Sequence, residues 1–141
     1  MRKLIIILLC FAIITGCKKT GVQSPVSIIG KWSHLKLETR LIEDKAPNFP
    51  LMDTVITYVP GNYTQFNSDG TGIESHFYSG VSSTNNFQYT ISGTILNFTD
   101  FSISPGGTIT QLDEHNLIIH NEYLYGVYTA IKYKVDDYYT R

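Results

Sequence analysis

The chain has 141 residues, with 11 basic and 12 acidic side chains and a formal net charge of −1. This charge is too small and too evenly mixed to attract nucleic acid, and the length suits one domain with a core of its own. There is no His-x-x-x-His pair, no nucleophile elbow and no phosphate-binding glycine loop. We therefore expect no enzymatic activity, no metal site and no cofactor.

The N-terminus has the pattern of a secretory signal. Arg2 and Lys3 precede an apolar run from Leu4 to Ile14. At 1.5 Å per residue this run covers only about half of the ~30 Å hydrocarbon core of a bilayer, so it is too short for a membrane span. A basic start, a short apolar run and a small residue before a cut site are typical of a signal peptide, which predicts removal of residues 1–16. Loss of the two basic residues changes the net charge from −1 to −3.

The run ends in Ile14-Thr15-Gly16-Cys17, which resembles the lipobox of bacterial lipoproteins. The resemblance implies that Cys17 receives a diacylglycerol, becomes the first residue of the mature chain and is then acylated, for example with palmitate. Two or three acyl chains anchor a protein stably, whereas one holds it only marginally. The alternative is an ordinary secreted protein with an unrelated cysteine. Cys17 would be the one cysteine of the mature chain, so a disulfide within it is excluded.

Residues 17–27, from the lipidated Cys17 onward, have no helical or strand periodicity and predict a flexible tether. Ten such residues span about 17 Å, enough to hold a domain just off a bilayer surface. Lys18 differs from the aspartate that retains some lipoproteins at the inner membrane, so the resemblance favours the outer membrane. The folded domain is expected at residues 28–141.

Residues 28–141 are rich in Thr, Ile, Tyr and Phe, and turn signals recur about every ten residues. We predict an all-β fold, an antiparallel up-and-down meander closed as a sandwich or a barrel of roughly eight strands, the first at Lys31 to Leu41. Residues 43–53 contain two prolines and predict a long loop over one end. Tyrosines crowd the end of the chain, where they suit either strand packing or a binding surface: Tyr123, Tyr125, Tyr128, Tyr133, Tyr138 and Tyr139.

Three hairpins can be assigned from alternation of apolar residues. A two-residue loop at Ser92-Gly93 predicts the pairs Ile91 with Thr94, Tyr89 with Leu96 and Phe87 with Phe98. A tight turn at Asp69-Gly70 would place Phe66 opposite Ile73, although a longer loop is equally compatible with the sequence and would change this pairing. The third hairpin predicts Leu112 opposite Leu117 and Thr110 opposite Ile119.

Gly30-Lys31-Trp32 resembles the Gly-x-Trp that opens the first strand of lipocalins and other calycins. With the Asp69-Gly70-Thr71 turn and the aromatic last strand, it identifies a resemblance to lipocalin-like domains of small bacterial lipoproteins over residues 28–141. The resemblance implies a β-barrel in which Trp32 stacks on a basic residue from the chain end, Arg141 first, with Lys134 or Lys132 as the alternatives.

The resemblance also implies that the barrel binds a small hydrophobic or amphipathic molecule, or part of a glycan, as a monomer. An alternative is a filled barrel whose loops bind another envelope protein. Glu38 and Glu74 could in principle sit across a cavity as an acid/base pair, but solvated strand faces account for both. His34 and His76 are expected to be structural. The side chains predicted to face a ligand are Phe66, Ile73, Phe87, Tyr89, Leu96 and Phe98.

Overall fold

The structure is a computed structural model that describes residues 26–44, 53–99, 106–124 and 131–141. The predicted signal peptide, Cys17 and most of the tether lie outside these residues, as do most of the 43–53 loop, Tyr125 and Tyr128. The described part of the chain contains nine strands: β1 (Gly30–Asp44), β2 (Thr54–Thr57), β3 (Tyr63–Phe66), β4 (Thr71–Tyr78), β5 (Val81–Ser92), β6 (Ile95–Phe98), β7 (Gly107–Leu112), β8 (Asn116–Leu124) and β9 (Ile131–Thr140).

The strands form one closed antiparallel barrel. Each strand from β3 to β9 pairs with the next, and β9 returns to pair with β1 from Ser33–Thr140 to Asp44–Ile131. β2 and β3 lie one after the other on the other edge of β1, so together they fill one position. The result is an eight-stranded up-and-down barrel, the architecture of lipocalins, and the predicted fold class is confirmed.

A bulge in β1 decides which of its side chains enter the barrel. Pairing with β9 shifts between His34 and Lys36, so Leu35 is an extra residue. Trp32 and His34 are buried inside, whereas beyond the bulge the inward positions are Leu37 and Thr39. Because side chains alternate along a strand, one inserted residue exchanges the two faces of β1 from Lys36 up to the second register shift, between Leu41 and Glu43.

One end of the barrel is filled by a hydrophobic core, which we call the plug. Its largest fully buried side chains are Trp32, Phe66, Leu96 and Leu117, and Tyr89 packs against them with its ring centroid 5.0 Å from that of Phe66. The Tyr89 hydroxyl donates a hydrogen bond to the Asn67 carbonyl, 2.7 Å away, which satisfies its polar end. The plug closes this end of the barrel.

The expected stack of Arg141 on Trp32 is present beneath the plug. The Arg141 Cζ lies 4.0 Å from the centroid of the Trp32 ring, and the indole N–H donates to the Ile28 carbonyl at 2.6 Å. Arg141 Nη2 also donates to the carbonyls of Ser27 and Ile29 at 2.9 and 2.6 Å. The last residue therefore ties the segment before β1 to the closed end of the barrel.

The β5–β6 hairpin has a different register from the predicted one. Its loop is Gly93-Thr94, and the pairs are Ile91 with Leu96 and Tyr89 with Phe98. Gly93 has φ +61° while Thr94 keeps a negative φ, the pattern of a turn with glycine in its first central position. A Ser92-Gly93 loop would place Ser92 there instead. The shift moves each pair by two positions, so the predicted faces are retained although the predicted pairs are wrong.

The β3–β4 hairpin uses the longer loop. Phe66 pairs with Gly72, and Ile73 pairs with Gln65. The Asp69 carboxylate accepts hydrogen bonds from the Thr71 N–H and hydroxyl at 2.9 and 2.7 Å, which closes the turn. The tight-turn pairing of Phe66 with Ile73 is therefore wrong.

The β7–β8 hairpin is confirmed near its turn and wrong farther along. Leu112 pairs with Leu117 as predicted. Between Ile109 and Gln111 the register shifts, so that Ile109, instead of Thr110, lies opposite Ile119. The extra residue is a bulge, which a strict alternation cannot predict.

Candidate functional site

The half of the barrel beyond the plug encloses a cavity of about 330 Å³. We call it the inner cavity. Strands from all around the barrel contribute to it, together with Tyr58 from the connection between β2 and β3. Part of its lining is apolar, from Leu37, Phe87, Phe98 and Val135. The rest carries polar groups, from His34, Thr39, Tyr58, Thr64, Glu74, Tyr123, Asp137 and Tyr139.

Phe87 and Phe98 form the floor of the inner cavity. Their ring centroids are 5.0 Å apart with the planes at 84°, and each ring also contacts Phe66 in the plug. Phe87 can reach this position because Gly72 opposite it has no side chain: a Cβ there would lie 2.1 Å from the ring. The floor is therefore aromatic and rigidly supported by the plug.

His34 stands on the wall of the cavity, with only 7% of its surface exposed. Its Nε2 lies 2.8 Å from the Thr64 hydroxyl oxygen, and its ring contacts the edges of Tyr58 and Tyr139. Burial, followed by the charge of His76, lowers the His34 pKa to about 4, so the ring is neutral at physiological pH. The Nδ1 atom is buried and has no hydrogen-bond partner in the described chain.

Asp137 lies opposite Leu37 across the β1–β9 pair and faces the cavity. Burial is the largest influence on its carboxyl group, and the charges of Glu74 and Asp136 act in the same direction. Together they raise the Asp137 pKa to about 6. Within the described residues, no hydrogen bond or ion pair reaches this carboxylate.

Tyr58 and Tyr139 keep their phenolic protons in the cavity. Burial, then the charges of Asp137 and Glu74, raise the pKa of Tyr58 to about 12. The same causes, in the same order, raise the pKa of Tyr139 well above its usual value. Both rings can therefore offer O–H groups and aromatic surface, but no negative charge.

Glu74 is the second acidic group of the cavity, and it has a partner. Its Oε2 lies 3.1 Å from His76 Nε2. Glu38 is not its counterpart across the cavity, because the bulge at Leu35 places Glu38 on the outer face. There it accepts hydrogen bonds from Lys36 and Arg40 at 2.5 and 2.8 Å. The two carboxylates therefore do not form an acid/base pair across the cavity.

Positive charge lies outside the barrel wall in the described part of the chain. Lys36 and Arg40 pair with Glu38, Lys132 pairs with Glu122, and Lys134 lies 3.2 Å from Asp136. Among the residues that line the inner cavity there is no lysine or arginine. The cavity is therefore acidic, with an aromatic floor.

The side chains predicted to face a ligand divide into three groups. Phe87 and Phe98 line the inner cavity. Phe66, Tyr89 and Leu96 are buried in the plug. Ile73 shares a face with Gln65 and Asn86, opposite to the face of Phe87, and so lies outside the barrel.

Sequence reasoning missed Asp137 and treated His34 as structural only. A signal for Asp137 was present, since two adjacent acids, Asp136 and Asp137, stand in an aromatic strand with a two-residue period. One of the two must point to each face. Two of the tyrosines that crowd the end of the chain, Tyr123 and Tyr139, line the cavity.

The described ranges contain neither a candidate metal site nor a candidate membrane-spanning helix. No three His, Cys, Asp or Glu side chains are placed so as to hold a metal ion. No helix there is long and apolar enough to span a membrane.

No family model and no curated protein match the chain. Among solved structures it is similar to a bovine odorant-binding protein, a deswapped triple mutant, with 15% sequence identity and a TM-score of 0.41. This similarity covers 79% of the chain and 72% of the bovine one. The fold assignment accordingly rests on the strand order and closure of the barrel itself.

Proposed function

We propose that the protein is a lipid-anchored lipoprotein of the bacterial envelope whose barrel binds a small amphipathic molecule in the inner cavity. The single observation that carries the binding function is the cavity of about 330 Å³ enclosed by the barrel wall. This is within the range of small-molecule sites, at its lower end. A filled barrel would have left no such space, so the cavity favours binding over the alternative of a filled barrel that binds a protein through its loops.

The lining indicates the character of the ligand. Phe87, Phe98, Leu37 and Val135 offer apolar surface, while His34, Asp137 and the tyrosine hydroxyls offer polar contacts. Sites with mostly apolar walls and a few placed polar groups are typical for molecules with an apolar body and a polar end. Nothing in this arrangement supplies an activated nucleophile, which supports binding in preference to catalysis.

The lipobox-like sequence around Cys17 supports lipid anchoring. The place where the tether joins the barrel is compatible with such an anchor. Ser27 lies at the plug end of the barrel, where its carbonyl accepts a hydrogen bond from Arg141. A tether that starts there would place the closed end toward the membrane and the inner cavity away from it. The residue after Cys17, Lys18, favours the outer membrane.

Native mass spectrometry of the protein purified from its own membranes tests the binding function. We expect the wild-type protein to retain a small molecule, and Val135→Phe, which fills the inner cavity, to lose it. Val81→Phe is the matched control, because Val81 is 68% exposed on β5. A wild-type protein that carries no small molecule, or a Val135→Phe variant that retains it fully, would contradict the proposal.

A further inference from the structure

We propose that the ligand of the inner cavity is a small amine, whose protonated nitrogen pairs with Asp137 and whose apolar body lies on Phe87 and Phe98. The inference rests on the proposed function, since it names the chemical class of the ligand for the same cavity. Three features of the cavity carry the inference. They are the carboxylates of Asp137 and Glu74, the buried His34 Nδ1 atom without a hydrogen-bond partner, and the aromatic side chains of the lining.

Charge is the first argument. Asp137 and Glu74 both face the inner cavity, and Glu74 is already paired with His76 at 3.1 Å. Asp137 has no cationic partner among the described side chains, and the nearby lysines and arginines lie on the outer face with partners of their own. A carboxylate in a semi-enclosed site is stabilised by a cation and repels an anion. An ammonium group on the ligand supplies the missing charge.

His34 provides a second feature, which is independent of the two carboxylates of Asp137 and Glu74. It is buried, neutral and oriented by the Thr64 hydroxyl at 2.8 Å. When its Nε2–H donates to Thr64, Nδ1 carries a lone pair, and that atom has no partner. In that tautomer Nδ1 is an acceptor, and a buried acceptor without a partner costs free energy that a hydrogen-bond donor beside it would remove. An ammonium group is a donor with no acceptor.

Aromatic side chains line much of the inner cavity. Tyr58, Tyr123 and Tyr139 surround the polar part of the cavity, and Tyr58 and Tyr139 both contact His34 with ring centroids 4.9 and 4.6 Å from it. Aromatic faces attract cations, and the attraction increases when the cation leaves water. Phe87 and Phe98 then provide an apolar floor for a ring or a short alkyl chain.

Three probes of nearly equal size test the charge class: 2-phenylethylamine, 2-phenylethanol and 3-phenylpropanoate, which are cationic, neutral and anionic near neutral pH. Binding would be measured by isothermal titration calorimetry with the folded, unlipidated domain carrying the tether. We expect the amine to bind at least tenfold more tightly than the alcohol and the acid to bind most weakly. Tighter binding of the alcohol or the acid, or no binding of the amine, would overturn the inference.

The variant Asp137→Asn tests the partner of the ammonium group. We expect it to lose at least tenfold in affinity for the amine and to change little for the alcohol. Asp136→Asn is the matched control, because Asp136 lies next to it on the outer face, where it pairs with His120 at 2.7 Å. An amine affinity that is equal in Asp137→Asn and wild type would overturn the role of Asp137, provided circular dichroism shows both folded.

Acidification gives a second readout without mutation. Protonation of Asp137 removes its charge, so amine affinity should fall about tenfold as the pH is lowered from neutral to one unit below its pKa, while alcohol affinity stays constant. The other titratable groups around Asp137 are His34, Tyr58, Glu74, Tyr123 and Tyr139, which line the cavity with it, His76, which lies beside Glu74, and Asp136 on the outer face of β9. A constant amine affinity across this range would contradict the ion pair.

These results are distinguishable from failure of the proposed function. If the amine does not bind but native mass spectrometry finds another retained molecule that Val135→Phe excludes, the cavity is a binding site and the amine assignment is wrong. If no molecule is retained and no probe binds, both proposals are wrong.

Discussion

The Arg141 guanidinium lies over the Trp32 indole, with Cζ 4.0 Å from the ring centroid, and so joins the last residue of the chain to the first strand. Trp32 has no exposed surface, and the guanidinium over it also donates hydrogen bonds to the Ser27 and Ile29 carbonyls. Gly30 is part of this contact, because a Cβ there would approach Arg141 Nη2 to 3.2 Å.

Arg141→Ala should lower the free energy of unfolding by about 0.5–2 kcal/mol through the lost cation–π contact alone, and somewhat more through the lost hydrogen bonds. Chemical denaturation followed by tryptophan fluorescence measures this, since Trp32 is the single tryptophan. Arg141→Lys should recover part of the loss, because lysine keeps the charge without the planar fork. An alanine variant as stable as wild type would show that the contact is dispensable.

Asp137→Asn should stabilise the ligand-free protein at neutral pH. The Asp137 pKa is about 6 in the folded state against an ordinary 3.8, so the folded state binds the proton more tightly than the unfolded state. Stability then decreases as the pH rises from about 4 to above 6, by up to about 3 kcal/mol. The gain from Asp137→Asn should therefore be largest at neutral pH and vanish below about pH 4.

Thermal unfolding of wild type and Asp137→Asn across this pH range measures the effect. Asp136→Asn serves as the control and should give no gain, because it removes ion pairs on the outer face. A loss of stability in Asp137→Asn at neutral pH would indicate that the carboxylate has a stabilising partner.

His34 should have the opposite pH dependence. Its pKa is about 4 in the folded state against an ordinary 6.5, so the unfolded state binds the proton more tightly. The corresponding stability is complete above about pH 6.5 and is lost as the pH falls toward 4, by up to about 3 kcal/mol. In wild type, the pH dependences of stability that come from His34 and Asp137 offset one another, because they cover much of the same pH range.

The His34 dependence is best measured in the Asp137→Asn background, where it is not offset. We expect the stability of that variant to fall on acidification from about pH 6.5 to 4, and the double variant with His34→Gln to show a flatter profile. Identical slopes in the two variants would show that His34 is not the group responsible.

Gly72→Ala should destabilise the barrel by about 1–3 kcal/mol or more, because the new Cβ would meet both a ring and the backbone. It would lie 2.1 Å from Phe87 Cζ and 2.6 Å from the Gln65 carbonyl oxygen. Phe87→Leu should relieve only part of this cost, because the carbonyl stays in place. Denaturant titration of the two single variants and the double variant gives the coupling, and a neutral Gly72→Ala would contradict the close packing.

Cys17→Ser should release the protein from membranes. Without the thiol the lipid cannot be attached, and labelled palmitate should not be incorporated. The control is Cys10→Ser, which changes the other cysteine, inside the segment expected to be removed, and should leave labelling and membrane fractionation unchanged. A Cys17→Ser protein that still carries label in the membrane fraction would contradict lipid anchoring at this residue.

Much of the fold could be predicted because strand composition and regular turn signals leave few alternatives to an antiparallel meander. Leu112 and Leu117 were paired correctly because they lie next to the turn, and no bulge separates them from it. Farther from the turns the predictions failed at bulges, as at Ile109 and Ile119. A bulge has no strong sequence pattern, since any residue can be the extra one.

The inner cavity was less predictable than the fold. Its aromatic floor was partly predicted, through Phe87 and Phe98. Its acidic group was not, because whether Asp137 points inward depends on the register of β9 against β1 and β8. The face of Glu38 could not be predicted for the same reason, since the bulge at Leu35 exchanges the faces of β1 there.

The sequence by itself determined the fold class, because strand composition and regular turn signals are local properties of the chain, while the stack of Arg141 on Trp32 was implied by the resemblance of Gly30-Lys31-Trp32 to the first strand of calycins. It also predicts the lipid anchor through a local motif. Only the tertiary structure decided that the barrel is filled at one end and hollow at the other, and that Asp137, His34 and the tyrosines share the hollow half. The physical reason is that strand side chains alternate with a period of two, so a single bulged residue exchanges inside and outside without leaving a trace in composition.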